Sequence, residues 1–256
     1  MTLLHHSVDG PADAPVLVLG PSLGTDLGLF DAQVAAFADR WRVVRYDLRG
    51  HGRSPAPEGP YSMADLADDV LEVLDHLGVE RFHYAGVSLG GAIGQWLAID
   101  SADRVLSLAV CASAARFPDP ASWTARAAVA RADGTEAMVA SRTGTWFTAE
   151  FAEQRPAEAE RLLTMLRETS SEGYAGCCEA ISAFDVRHEL AQVTAPTLVI
   201  AGSVDPATPV ATVREIADGI PGARFVEVPG AAHLVNVERP DEVNSALTEH
   251  LAQLSS

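Results

Sequence analysis

Phe82-His83-Tyr84-Ala85-Gly86-Val87-Ser88-Leu89-Gly90-Gly91 carries an apolar, strand-like run straight into a serine flanked by glycines, and a helical pattern follows from Gly91 to Ile99. A turn from strand to helix this tight leaves no room for side chains two positions before and after its centre, so glycine belongs at 86 and 90. The central residue of such a Gly-x-Ser-x-Gly turn is held in a strained backbone conformation that lifts its hydroxyl clear of the sheet. Ser88 is therefore the candidate nucleophile. Leu89, next in line, presents its N–H at a helix N-terminus, where partial positive charge favours a developing oxyanion.

Outward from this turn the pattern repeats. Val16 to Gly20 and Val43 to Asp47 are short, β-branched or leucine-rich runs that read as buried strands, and Leu106 to Ala112, Thr197 to Ala201 and Arg224 to Val228 read as further strands. Between two of them, Ser62 to Leu77 sets Leu66, Val70, Val73, Leu74 and Leu77 at helical spacing, with Asp65, Asp68, Asp69, Glu72 and Asp75 expected on a solvated face. Strands alternating with helices predict an α/β fold with a mostly parallel central sheet flanked by helices. From about Phe117 to Asp185 no strand-like run occurs, only Ala-, Arg- and Glu-rich helical patterns containing Trp123 and Trp146. The expected organisation is one core, residues 1–116 and 186–256, interrupted by a helical lid at 117–185. Ser255 and Ser256 are expected to fray.

A serine nucleophile needs a base, and the base must be oriented by an acid on the same edge of the sheet. In the chain order serine, acid, histidine, His233 follows the strand and turn Val226-Glu227-Val228-Pro229-Gly230. Asp205 follows the strand ending at Ala201 and its breaker, Gly202. Asp47 is the competing acid, since it ends a strand, but chain order favours Asp205. Among the eight histidines His51 is the main rival base. It precedes the serine in the turn Arg49-Gly50-His51-Gly52-Arg53-Ser54, and it is read as structural. A second oxyanion donor is expected in the loop Gly20-Pro21-Ser22-Leu23-Gly24-Thr25. Pro21 has no N–H, so Leu23 is the first choice and Ser22 the reserve.

Composition narrows the partners. Of 256 residues 48% are hydrophobic and 21% charged, which is globular, and no apolar stretch is long enough to span a membrane. Met1 to Gly10 has neither a basic region nor a long apolar one, so no secretory signal is read and the cytoplasm is the expected location. The net charge of −17 repels polyphosphate and anionic membrane, which argues against nucleic acid as a partner. A small anionic substrate would need local arginines to reverse that field. Three cysteines, two of them adjacent at 177 and 178, suggest reduced thiols packed in the lid. No histidine and carboxylate spacing points to a metal, and no cofactor is expected.

With these residues in place the whole chain resembles the α/β-hydrolases, and among them the 3-oxoadipate enol-lactonases of the β-ketoadipate pathway. The resemblance rests on Ser22-Leu23-Gly24-Thr25-Asp26-Leu27, Tyr46 to Ser54, Gly86 to Gly91, Trp146-Phe147-Thr148, Glu172-Gly173-Tyr174-Ala175-Gly176-Cys177-Cys178 and Gly230 to His233. It implies hydrolysis of a small enol-lactone to a 3-oxo dicarboxylate through an acyl-enzyme, with no cofactor. This chain departs from the family pattern at Pro21 (where Asn is usual), at Phe30 (Trp) and at Thr145 (a basic residue). The last departure bears on the substrate carboxylate. Arg142, one helical turn earlier, is the candidate replacement, with Arg126 and Arg131 in reserve; Trp123 and Trp146 are the other candidate substrate contacts. Rival readings are a carboxylesterase or perhydrolase acting on small neutral esters and, in another class, a ligand sensor on a hydrolase scaffold. A haloalkane dehalogenase would need a carboxylate where Ser88 stands.

Overall fold

The computed structural model describes residues 3–253, so the expected fraying at Ser255 and Ser256 lies outside the described residues. Its centre is a seven-stranded sheet in the order β1-β3-β2-β4-β5-β6-β7. The strands are β1 (His6–Asp9), β2 (Val16–Gly20), β3 (Arg42–Tyr46), β4 (Phe82–Val87), β5 (Val105–Cys111), β6 (Thr197–Gly202) and β7 (Arg224–Val228). All pairings are parallel except β1 with β3. Every residue of β2, β4 and β6 is buried, as expected for a sheet covered on both faces. The mostly parallel α/β architecture is the one read from the sequence. β1 escaped that reading because His6-Ser7-Val8-Asp9 is polar and short; only the free edge of β3 makes it a strand.

The strand order reverses beside β2. The chain leaves β2 toward β3 on one side and comes back to β4 on the other, so the loops after β2 and β4 open a crevice at the C-terminal edge. The helix between β3 and β4, α2 in the chain-order numbering in which α1 is Asp31–Phe37, spans Met63–His76. It starts on a capping box in which the Ser62 hydroxyl accepts from Asp65 N–H and the Asp65 carboxylate accepts from Ser62 N–H. It buries Leu66, Val70, Val73 and Leu74. One residue of its expected solvated face is turned inward: Asp69 is buried and takes a forked pair of bonds from Arg49, both at 2.6 Å. A residue just before a covered stripe is near enough to the core to be drawn in when a half-buried guanidinium needs a partner.

α3 (Leu89–Asp100) is apolar almost all round because it lies under α2 and over β4 and β5. Between β5 and β6 the chain is helical: α4 (Pro120–Asp133), α5 (Glu136–Val139), α6 (Ala149–Gln154), α7 (Pro156–Glu168) and α8 (Ser171–Ala183), with α4 packed on α8. Arg116 and Asp185 pair as a backbone bridge where this excursion leaves and rejoins the core. On that closure we propose 117–185 as one inserted cap on a core of 1–116 and 186–256. The chain ends with α9 (Val210–Gly219), α10 (Val235–Glu238) and α11 (Pro240–Ala252). No helix among the described residues is long and apolar enough to cross a membrane. The cysteines are free and buried, but they do not all sit in the cap: Cys111 ends β5, beneath the strand-to-helix turn.

Of the buried histidines, His51, His83 and His250 are each pushed from 6.5 down to about 4, with burial the leading cause. Their folded values lie below their unfolded ones, so between about pH 6.5 and 4 the unfolded chain binds protons that the folded chain refuses. Stability is thus complete above pH 6.5 and falls as pH drops through that window, at roughly 1.4 kcal/mol per pH unit for each histidine. Urea midpoints measured from pH 7.5 to 5 should decline; a flat profile would contradict the burial of neutral imidazoles.

Candidate active site

The turn at Ser88 is held by close backbone contact. A β-carbon on Gly86 would lie 2.3 Å from the Gly90 carbonyl carbon, and one on Gly90 would lie 2.0 Å from the Gly20 oxygen, so neither position admits a side chain. Ser88 itself has φ 56° and ψ −113°, a strained conformation for a residue with a β-carbon. Its backbone is fastened on both sides. Ser88 N–H donates to Cys111 O at 2.8 Å, while Ser88 O accepts from the Ser113 hydroxyl at 2.7 Å and from Ala92 N–H at 3.0 Å.

Asp205 and His233 arrive on the loops after β6 and β7, strands that are parallel neighbours. His233 Nδ1 and Asp205 Oδ2 are 2.8 Å apart, and both residues are buried. Asp205 Oδ1 accepts the N–H groups of Ala207 and Thr208 at 2.7 and 3.1 Å, and Oδ2 also accepts the Thr208 hydroxyl at 2.6 Å. Burial pushes the Asp205 carboxyl up, but His233 and the Thr208 bonds outweigh it and leave it below the usual value. An ionised Asp205 requires the proton on His233 Nδ1, which leaves Nε2 as the acceptor nitrogen. Ser88 and His233 both face one cavity of about 430 Å³.

Neither Leu23 N–H nor Leu89 N–H donates to another group of the protein among the described residues. Leu23 and its reserve Ser22 line the cavity. The loop that carries them is tied to the turn by Gly90 N–H on Pro21 O at 3.0 Å, and to His51 by Gly24 N–H on Nε2 at 2.9 Å. His51 Nδ1 lies 3.0 Å from Arg49 O, so the proton sits there and Nε2 accepts. Burial favours this neutral form. His51 therefore acts as a brace for the loop after β2. Asp47, the competing acid, accepts from Leu27 N–H at 2.8 Å and Arg53 N–H at 2.9 Å and lies 2.7 Å from His5 Nδ1. None of these partners belongs to the loop that carries His233.

The cap supplies the remaining walls: Trp123, Arg126, Arg142, Trp146 and Tyr174 all line the cavity. Arg142 is 7% exposed, donates from Nη2 to the Ser141 hydroxyl at 2.8 Å and lies 5.6 Å from the Trp146 ring centre. Its Nε has no partner, and no carboxylate pairs with it among the described residues. Burial pushes its pKa down from the usual value. Arg126 stacks over Trp123 at 4.3 Å. Arg131 does not belong to this group: it is exposed and is engaged by Glu172 and Glu179. As a reserve cation for a substrate carboxylate it is not available, because two acids on α8 claim it. Thr208, Ser113 and Tyr174 were not among the sequence candidates. Thr208, three residues after Asp205, carried the one usable signal, because a hydroxyl there can close back on the preceding carboxylate.

A strained serine between β4 and α3, facing a buried histidine and carboxylate on later loops of the same edge, is the arrangement of the hydrolases built on this sheet. The α/β hydrolase fold family matches residues 15–240. 3-Oxoadipate enol-lactonase 2 of Acinetobacter baylyi is 40% identical over 244 residues, covering 95% of this chain and 91% of that protein. The crystal structure of the enol-lactonase from Burkholderia xenovorans LB400 superposes with a TM-score of 0.95 at 42% identity, covering 97% of this chain and 96% of that one. A thermophilic esterase from Thermogutta terrifontis, solved with malate bound, superposes at 0.93 with 27% identity, covering 99% of this chain and 94% of that one. The chain belongs to the α/β hydrolase family. Within it, this is a carboxylic ester hydrolase similar to the 3-oxoadipate enol-lactonases.

Because Asp47 serves backbone N–H groups, Asp47→Asn should cost stability, about 1–3 kcal/mol. Turnover per folded molecule should stay within about threefold of wild type. Chemical melts beside kcat normalised to folded protein check this, and a loss of kcat with unchanged stability would return Asp47 to the list of acids.

Proposed function

We propose that the enzyme hydrolyses a small enol-lactone bearing a carboxylate, of the 3-oxoadipate enol-lactone type, to a 3-oxo dicarboxylate. Ser88 Oγ attacks the lactone carbonyl while His233 Nε2 takes its proton, and Asp205 holds the imidazole in the tautomer that leaves Nε2 free. The N–H groups of Leu23 and Leu89 receive the oxyanion, aided by the N-terminus of α3. Collapse breaks the ring C–O bond, and the His233 imidazolium returns the proton to the enol oxygen. The enol stays tethered within the acyl chain and ketonises. Water, deprotonated by His233, then cleaves the acyl-enzyme and frees Ser88.

The observation that carries the substrate class is Arg142. A guanidinium buried in the wall of the Ser88 and His233 cavity, without a carboxylate of its own, costs stability that an anionic ligand would recover. In a chain of net charge −17 it is also what could draw an anion inward. Similarity to enol-lactonases supports the same reading.

Ser88→Ala should remove turnover by several orders of magnitude and spare binding, and Asp205→Asn should lower kcat by roughly 10⁴. Arg142→Ala should raise KM for the carboxylated lactone at least tenfold, the truncation of a desolvated charge pair being worth about 2–5 kcal/mol, with a smaller change for a neutral ester of similar size. Equal losses on both substrates, or none, would move the assignment to a neutral-ester hydrolase. Failure to turn over repeatedly would move it to a ligand sensor.

A further inference from the structure

Glu238, at the end of α10, is a buried carboxylate outside the proposed reaction steps. Its Oε1 accepts the Thr148 N–H at 2.9 Å and also the Thr148 hydroxyl; its Oε2 accepts Ala232 N–H at 2.7 Å. All these partners are neutral. Arg155 and Arg239 line the same small pocket, but neither pairs with its carboxylate among the described residues, and a hydrophobic residue would fill the space at lower desolvation cost. What only a two-oxygen acceptor can do is serve two backbone segments at once, and the two served here both reach the cavity. Ala232 precedes His233, and Thr148 follows the stretch that holds the cavity residues Thr145 and Trp146. Two backbone bonds run beside the carboxylate: His233 N–H to Thr145 O at 3.3 Å and Leu234 N–H to Trp146 O at 2.7 Å. The first is long; the second is as short as the bond from Ala232 N–H to the carboxylate, so the base loop is held to the wall on both sides of His233, by Glu238 before it and by Leu234 N–H after it.

We infer that Glu238 is a positioning residue that sets the base loop and the cap wall as one unit, so that the proton acceptor and the surface that orients the substrate keep a fixed separation. This rests on the proposed roles of Ser88 and His233. The cap-side partner has a second duty, since the Thr148 hydroxyl also accepts Phe151 N–H at 3.1 Å at the start of α6. Motion of the wall is thereby coupled to the first turn of that helix.

The test uses Glu238→Gln, Thr148→Val and Thr148→Ser in the full chain. Substrates are a carboxylated enol-lactone and p-nitrophenyl acetate, with active sites titrated by an organophosphonate so that unfolded protein does not count. In Glu238→Gln one end of the amide turns an NH₂ toward a backbone N–H whichever way it is flipped. The base loop shifts, and kcat should fall about tenfold to a hundredfold on both substrates, as misplacement near 1 Å does, while KM for the acetate changes little. Thr148→Val removes only the hydroxyl's bonds and leaves both backbone bonds of the carboxylate in place, so it should raise KM for the lactone several-fold with kcat nearly kept, and Thr148→Ser should restore it. Wild-type kcat and KM per active site in both Glu238→Gln and Thr148→Val, whatever their melting temperatures, would overturn the inference. Should Glu238→Gln not fold, Glu238→Asp, whose carboxylate is one methylene short of spanning both backbone segments, takes its place with the same expected fall in kcat. A Ser88→Ala control separates the failures: if it stays active the proposed site is wrong, and if it is dead while the other variants are wild type only the role of Glu238 is wrong.

Discussion

Gly90 lies so close to Gly20 that the two backbones touch, and the rest of the site hangs on that contact. Gly20 and Gly86 are register partners in β2 and β4, and Gly90 N–H donates to Pro21 O across the gap. The loop with the Leu23 N–H and the turn with Ser88 and the Leu89 N–H therefore cannot drift apart. For the proposed oxyanion role of these two N–H groups such fixing matters, since reorganising dipoles during reaction forfeits most of their effect. Three glycines at one strand pair supply that rigidity with no side chain involved. The strain at Ser88 persists because Cys111, Ser113 and Ala92 grip its backbone from the adjoining strand, loop and helix.

Loops at the C-terminal edge of a parallel sheet carry backbone N–H groups that no strand can satisfy, and burial makes each one costly to leave alone. This protein meets the need with buried side-chain acceptors. Asp47 serves Leu27 and Arg53, His51 serves Gly24, Asp205 serves Ala207 and Thr208, and Glu238 serves Ala232 and Thr148. The same chemical need explains why acids and histidines crowd this edge. Of these acceptors, Asp205 is the one in contact with the histidine of the cavity, where a short bond and an additional hydroxyl keep it ionised.

Charge is distributed with a similar economy. All 18 basic residues are arginines, and acids outnumber them by 35 to 18. Most of the cap's arginines are taken up by neighbours, as Arg131, Arg155 and Arg167 are by glutamates. Arg142 stands apart, buried against Trp146 and open to the cavity. Guanidinium suits the place: it stays charged under desolvation that would neutralise a lysine, and its planar donors match a carboxylate.

The apolar runs were enough to read the six parallel strands but not the polar edge strand β1, and the serine turn was legible because only glycine fits beside it. Asp205 and His233 could be picked out by their position after strands and by chain order, which are properties of a sequence. What the chain alone could not determine was which polar residue meets which. Asp47 and Asp205 both follow strands, and only the sheet order puts one beside His233 and the other beside His5. Arg126, Arg131 and Arg142 are equivalent on a helical pattern, yet α8 presents two glutamates to one of them and the cavity opens onto the other two. Glu238 gave no sign, since its partners lie six and ninety residues away and are backbone groups that any sequence possesses. Local spacing and sterics are written residue by residue, whereas the pairing of buried charges depends on distances across the fold, which exist only once the sheet and its cap have packed.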